Sequence, residues 1–84
     1  MRLDKYLKVS RIIKRRTIAK EMADNGRVLV NGKPSKSATQ LEEGDLITIL
    51  FGNREITVKV KALLDSTKKQ DAQEMFDIVT DKRV

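Results

Sequence analysis

Cysteine and histidine are both absent from this chain of 84 residues. Without cysteine there is neither disulfide bonding nor thiolate metal ligation. Without histidine, the commonest general base and the commonest zinc ligand are missing together. Aromatic side chains are scarce: Tyr6, Phe51 and Phe76 are the whole set. Single-strand readers of the RRM or OB type stack bases on exposed rings, and three scattered rings make no such platform. No apolar run exceeds three residues, against roughly 20 for a membrane span. The opening Met1-Arg2-Leu3-Asp4-Lys5 is charged and begins no secretory leader, so a cytoplasmic protein without a membrane partner is expected.

Enzyme chemistry has little to work with. The glycines at 26, 32, 44 and 52 are isolated turn residues and form no phosphate loop. Ser10, Ser35, Ser37 and Ser66 have no histidine to activate them. The one dense acidic group, Glu42, Glu43 and Asp45, lies in a Leu-x-x-Gly-Asp turn, where fixing the turn is the expected role rather than holding a metal. No catalytic activity, cofactor or metal is expected.

What is present is positive charge, unevenly placed. The net charge is +6. Residues 1–36 hold eleven Lys/Arg against three Asp/Glu, a balance of +8; residues 37–84 hold seven against nine, a balance of −2. Arg11–Lys20 (RIIKRRTIAK) contains five cations and no acid. Such a run carries a local potential of several kT, and RNA, DNA and an acidic membrane surface are all candidate partners on this ground alone.

The periodicity predicts one α+β domain. Leu3, Tyr6 and Leu7 have the spacing of a helix face over Arg2–Ser10, with Asp4 suited to the positive end of the macrodipole. A break over Ser10–Arg16 precedes a second helix, Thr17–Asn25, with Thr17 as N-cap and Gly26 just beyond its end. The period then falls to two. Strands are expected at Arg27–Val30, Leu46–Phe51 and Ile56–Lys61, with an Asn31-Gly32 type I′ turn, a turn over Leu41–Asp45 and another at Gly52-Asn53. Asp65–Lys69 reads as a loop. Ala72, Met75, Phe76 and Val79 predict a short C-terminal helix over Gln70–Val79. The fold is thus two N-terminal helices packed on a small antiparallel sheet, with that helix after it; residues 1–63 form the binding domain and 64–84 the C-terminal loop and helix.

The cations concentrate where they are least comfortable. Lys14, Arg15 and Arg16 come just before the second helix, whose N-terminus already carries partial positive charge and free N–H groups. A phosphate relieves that conflict by taking the N–H groups, the Thr17 hydroxyl and the guanidinium forks together. The alternative is that Arg15 and Arg16 pair with Glu42, Glu43 or Asp45. Arg2 heads a basic ridge with Lys5 and Lys8, off the Leu3/Leu7 face. The candidate RNA-binding residues are Arg2, Arg11, Lys14, Arg15, Arg16, Thr17 and Lys20. Basic charge without aromatics points to backbone and shape recognition of structured RNA. Removing Arg16 is expected to leave stability unchanged or slightly raised, since it takes a cation from a positive helix end.

RLDKYL, KRRTIAKEMADNGRVLVNGK and LEEGDLI together resemble the S-four type RNA-binding domain, the αL motif, over about Met1–Leu63. Chains of this length resemble the heat-shock protein fifteen and RqcP family of ribosome-associated quality control. That resemblance implies binding to the large ribosomal subunit carrying peptidyl-tRNA, with contacts to rRNA and tRNA. It also implies support of alanine tailing of stalled nascent chains, with RqcH as partner, by a monomer. It makes Arg2 and Arg16 the RNA-contacting arginines. The heat-shock relatives often carry tryptophan in the first helix, where this chain has Tyr6 and Lys8, and a longer basic C-terminal extension. Other readings are a general rRNA-binding or ribosome-assembly protein, the detached RNA-binding domain of a modification enzyme, and a helix-turn-helix DNA binder. The last two fit poorly: an Asn-Gly hairpin follows the second helix directly, and the chain has no remnant of a catalytic domain.

Overall fold

Leu3, Tyr6 and Leu7 wind into helix α1 (Leu3–Val9) and are all fully buried. The computed structural model describes residues 1–66 and 68–83; Thr67, within the expected loop, and Val84, at the end of the expected C-terminal segment, lie outside the described residues. Helix α1 stops at Ser10. Arg11 follows in the left-handed region at φ 63°, donating its N–H to the Lys8 carbonyl. Helix α2 (Arg16–Asp24) buries Ala19 and Ala23, whose small side chains let α1 come close. Ile18, next to Ala19 in the chain, is 42% exposed. Asn25 and Gly26 (φ 79°) end the helix as expected.

Among the described residues, five strands form one antiparallel sheet in the order β2-β1-β3-β4-β5. They are β1 (Val28–Val30), β2 (Lys33–Pro34), β3 (Leu46–Phe51), β4 (Arg54–Val60) and β5 (Phe76–Arg83). Asn31 (φ 52°) and Gly32 (φ 83°) join β1 to β2 with both central residues left-handed, the type I′ signature. The Asn31 amide donates to Asp45 at 3.1 Å and its carbonyl accepts the Leu46 N–H, while Asp45 also accepts the Glu42 N–H. The acidic turn is therefore held by Asp45. Ile47 and Ile49 of β3 and Val58 and Val60 of β4 face the helices, and Thr48 meets Thr57 across the other face at 2.9 Å.

The C-terminal segment departs from expectation. Only Lys69–Ala72 is helical, as α3, and the rest of the expected helix Gln70–Val79 is a turn followed by β5. Ala72 and Met75 are buried, yet Ile78 and Val79 are 62% and 56% exposed. The helical spacing was a coincidence of a turn and a strand. The β-branched run Ile78-Val79-Thr80 prefers the pleated conformation, and β4 offers it a free edge to pair with. The turn is anchored by Tyr6, whose hydroxyl donates to the Met75 carbonyl at 2.5 Å. Burial pushes the Tyr6 phenol well above its ordinary pKa.

One network ties the start of the chain to the loop after β2. The Leu3 and Asp4 N–H groups, orphans of the first turn of α1, donate to the Thr39 and Ser37 carbonyls, and the Leu41 N–H donates to Met1. Ser37 is buried and donates its N–H and hydroxyl to Asp24 at the end of α2, at 2.9 and 3.2 Å. Asp24 also takes the Lys20 ammonium at 2.9 Å, and its backbone carbonyl accepts from Lys36. The Lys20 ammonium first, and Ser37 next, hold the Asp24 carboxyl well below the usual carboxylate range.

Two outcomes follow from this packing. Tyr6→Phe should lower stability by about 1 kcal/mol, or about 4–8 °C in melting temperature, since the Met75 carbonyl keeps its bonds from Lys61 and Ala62; thermal melting by circular dichroism checks it. Asp24→Asn should melt below wild type at neutral pH. Because the folded carboxyl is depressed, its contribution is present above the ordinary carboxylate pKa and is lost as pH falls toward the folded value. The gap between variant and wild type should therefore narrow between about pH 5 and pH 2.

Candidate nucleic-acid interface

Asp4 lies one residue after Leu3 and three before Leu7, so its carboxylate sits at the margin of the buried face of α1, with its side chain only 3% exposed. A buried carboxylate requires partners. It accepts the Lys5 N–H at 2.8 Å. Arg2 Nε approaches Oδ1 at 3.2 Å and Arg2 Nη2 approaches Oδ2 at 3.4 Å. From the other helix, Arg16 Nη2 approaches Oδ1 at 3.4 Å and Arg16 Nε approaches Oδ2 at 3.3 Å. One acid thus holds two planar guanidinium groups, each in a forked approach. The arginine side chains remain 42% and 47% exposed. Each fork turns one edge to Asp4 and keeps most of its five N–H donors for another acceptor.

Arg16 is the first residue of α2, and its position differs from expectation. The N-cap is Arg15, in extended backbone at φ −123°, ψ 131°, and no side chain caps this end. Thr17 is the second helical residue and not the cap. The helix starts one residue early, with the Arg16 guanidinium tied to Asp4 and so to α1. No acid lies in the first turn of α2. Lys14, Arg15 and Arg16 therefore surround a helix N-terminus with free N–H groups, the arrangement that favours an anion. The proposed pairing of Arg15 and Arg16 with Glu42, Glu43 or Asp45 does not form. Arg16 pairs with Asp4, and no ion pair reaches Lys14 or Arg15 among the described residues.

The remaining candidates divide. Arg11 and Lys14 line a depression of about 330 Å³ together with Lys8. Lys20 stands apart: its ammonium is bound to Asp24, one turn along α2. The ridge of Arg2, Lys5 and Lys8 is interrupted, because Lys5 pairs with Asp65 at 3.0 Å. Asp4 was missed as the residue that orders the site. Its signal was its register: an acid beside Leu3 and i−3 from Leu7 lies on the apolar side of the helix, where only a cationic partner makes it tolerable.

The S4 domain family matches residues 1–47, which include the whole Asp4, Arg2 and Arg16 constellation. The RQC P-site tRNA stabilizing factor of Streptococcus pneumoniae is 60% identical over 84 residues, covering 100% of this chain and 96% of that protein. The Bacillus subtilis protein of the same name is 49% identical, covering 100% and 98%. Among solved structures, the trimeric heat shock protein 15 of Vibrio cholerae is 31% identical with a TM-score of 0.87, covering 94% of this chain and 81% of that one. Conserved length, a matching fold and the matched N-terminal constellation lead to one assignment: the chain belongs to the S4 domain family and, within it, to the family of the RQC P-site tRNA stabilizing factors.

Proposed function

We propose that this chain binds the large ribosomal subunit and the tRNA held there, contacting structured RNA through phosphate groups and stabilising P-site tRNA during ribosome-associated quality control. The observation that carries the reading is the pair of half-exposed guanidinium forks fixed on one buried carboxylate beside an uncapped helix N-terminus. Arg2 and Arg16 are the principal contacts; Arg11, Lys14, Arg15 and Thr17 extend them, and Lys20 supports α2 through Asp24. The protein acts by contact in the cytoplasm and not by catalysis, holding peptidyl-tRNA in place while RqcH adds alanine to the stalled chain. Residues 1–63 carry the principal RNA contacts, and β5 completes the sheet.

It works as a monomer. Both sheet edges are blunted against pairing: β2 is two residues long and contains Pro34, and β5 carries a bulge opposite Thr57/Val58 and the charges Asp77, Asp81, Lys82 and Arg83. No described helix is long and apolar enough to cross a membrane.

Arg16→Ala should weaken association with the large subunit about 10- to 100-fold. Its melting temperature should fall only slightly, by no more than about 4–8 °C, because a half-exposed ion pair contributes at most about 1 kcal/mol and Asp4 keeps Arg2 and the Lys5 N–H. This replaces the expected neutral or stabilising effect. Sucrose-gradient co-sedimentation and thermal melting test both halves, and wild-type co-sedimentation would remove Arg16 from the interface. With about four to six phosphate contacts, log K should fall with log salt at a slope of about −3 to −5.

Asp4→Asn separates geometry from charge. The substitution raises net charge by one, which by Coulomb attraction alone strengthens RNA binding. Loss of the forked anchor should outweigh it and weaken binding by about three- to tenfold. Tighter binding by the variant in a filter-binding titration would mean that Asp4 does not position the arginines.

A further inference from the structure

The aromatic that the RNA-binding reading leaves unused stands beside a second cationic surface. A pocket of about 220 Å³ opens between the end of α1 and α3, lined by Ser10, Arg11, Lys69, Ala72, Gln73 and Phe76. Ala72 and the half-buried Phe76 provide its apolar surface. Arg11 and Lys69 provide the charge. Arg11 is also a wall of the neighbouring depression formed with Lys8 and Lys14. An apolar pocket and a three-cation depression therefore share one arginine.

That arginine is held against its backbone preference. Arg11 occupies the C′ position after α1 at φ 63°, where glycine is the usual residue. A side chain kept in the left-handed region carries a backbone cost, and the geometry places the Arg11 side chain on the boundary between the two hollows.

We propose that these two hollows form one nucleotide site. The pocket takes the base of a single unpaired nucleotide, stacked on Phe76, and the Lys8/Arg11/Lys14 depression takes the phosphate beside it. The volume suits one base, being smaller than the roughly 300–1,000 Å³ of sites for whole small molecules. Cations on the rim match a phosphodiester and not a neutral ligand. The Gln73 amide, exposed on the pocket wall, can donate and accept at a base edge of any identity, so the site registers the position of an unpaired base more than its sequence. The inference rests on the RNA-binding reading and adds to it a bulged or looped nucleotide as the recognised element.

The test uses the full chain and a hairpin RNA with one bulged 2-aminopurine, compared with the same hairpin carrying an abasic residue there. Wild type should bind the bulged hairpin about tenfold more tightly, the scale of one base–aromatic stack, and should change the 2-aminopurine emission. Phe76→Leu, which keeps an apolar side chain and removes the ring, should lower that ratio to about twofold and leave the emission unchanged. Arg16→Ala should weaken both hairpins alike. If wild type binds both hairpins equally while Arg16→Ala weakens both, the pocket is not a base site and the RNA-binding reading stands. If wild type binds neither at low salt, the RNA-binding reading fails and the inference with it. Full discrimination retained by Phe76→Leu overturns the role of the ring. Should that variant fail to melt cooperatively, the bulged-to-abasic ratio and the emission change of wild type decide alone.

Discussion

A single buried carboxylate sets the geometry of the N-terminal half of the molecule. Asp4 cannot be left unpaired out of water, and its carboxylate has three partners: the N-cap arginine and the third-residue N–H of its own helix, and the first residue of the next. Its backbone is equally constrained, since the Asp4 N–H is bound to the Ser37 carbonyl. Ser37 is in turn bound to Asp24 at the far end of α2. The connections close a circuit: Asp4 holds the start of α2, Asp24 holds the loop, and the loop holds the backbone of Asp4. Helix α2 is thereby fastened to α1 at one end by a charge and at the other by hydrogen bonds. Little freedom remains for the two guanidinium groups, and that is what a phosphate site needs, because side-chain ordering then costs less on binding.

The same arrangement explains why an acid improves a cationic surface. Two unpaired arginines at the entrance of a helix would repel one another and the helix dipole. A carboxylate between them neutralises that repulsion from the core side while remaining only 3% exposed. An approaching polyanion therefore meets the guanidinium edges and not the acid. The price is one buried charge, offset by three groups of donors.

Much of this was legible in the sequence, for identifiable reasons. Leu3, Tyr6 and Leu7 could belong only to a helix face, Asn31-Gly32 is a near-unambiguous turn, and Asp45 was recognised as a turn residue. The cluster at Arg15 and Arg16 was found because it contradicted the helix dipole. What was not legible depended on contacts far apart in the chain. Thr17 looked like an N-cap by type, but the Arg16 tie to Asp4 starts the helix earlier. Residues Gln70–Val79 carried a helical pattern by chance, and only the open edge of β4 makes Phe76–Arg83 a strand. Asp4 itself was read for its helix dipole, because a local rule accounted for it and the partner twelve residues away was out of view.

The placement of the other acids completes the electrostatic design. Asp65 neutralises Lys5, Asp24 neutralises Lys20, Asp77 neutralises Lys61 and Asp81 takes Arg54 in a two-bond fork. Asp81 holds the Arg54 guanidinium above its ordinary pKa and is itself lowered by it. These pairs are exposed and contribute little stability each. Their effect is on the field: the β4–β5 side of the sheet is stitched into near-neutral pairs, while Lys14 and Arg15 meet no acid among the described residues. A chain of net charge +6 could have spread its potential over every face. With acids paired to Lys5, Lys20, Arg54 and Lys61, Lys14 and Arg15 in the break between α1 and α2 keep their charge without an acid partner among the described residues. Cations of this kind attract a polyanion, and they lie next in the chain to the Arg16 fork, which Asp4 already holds in place.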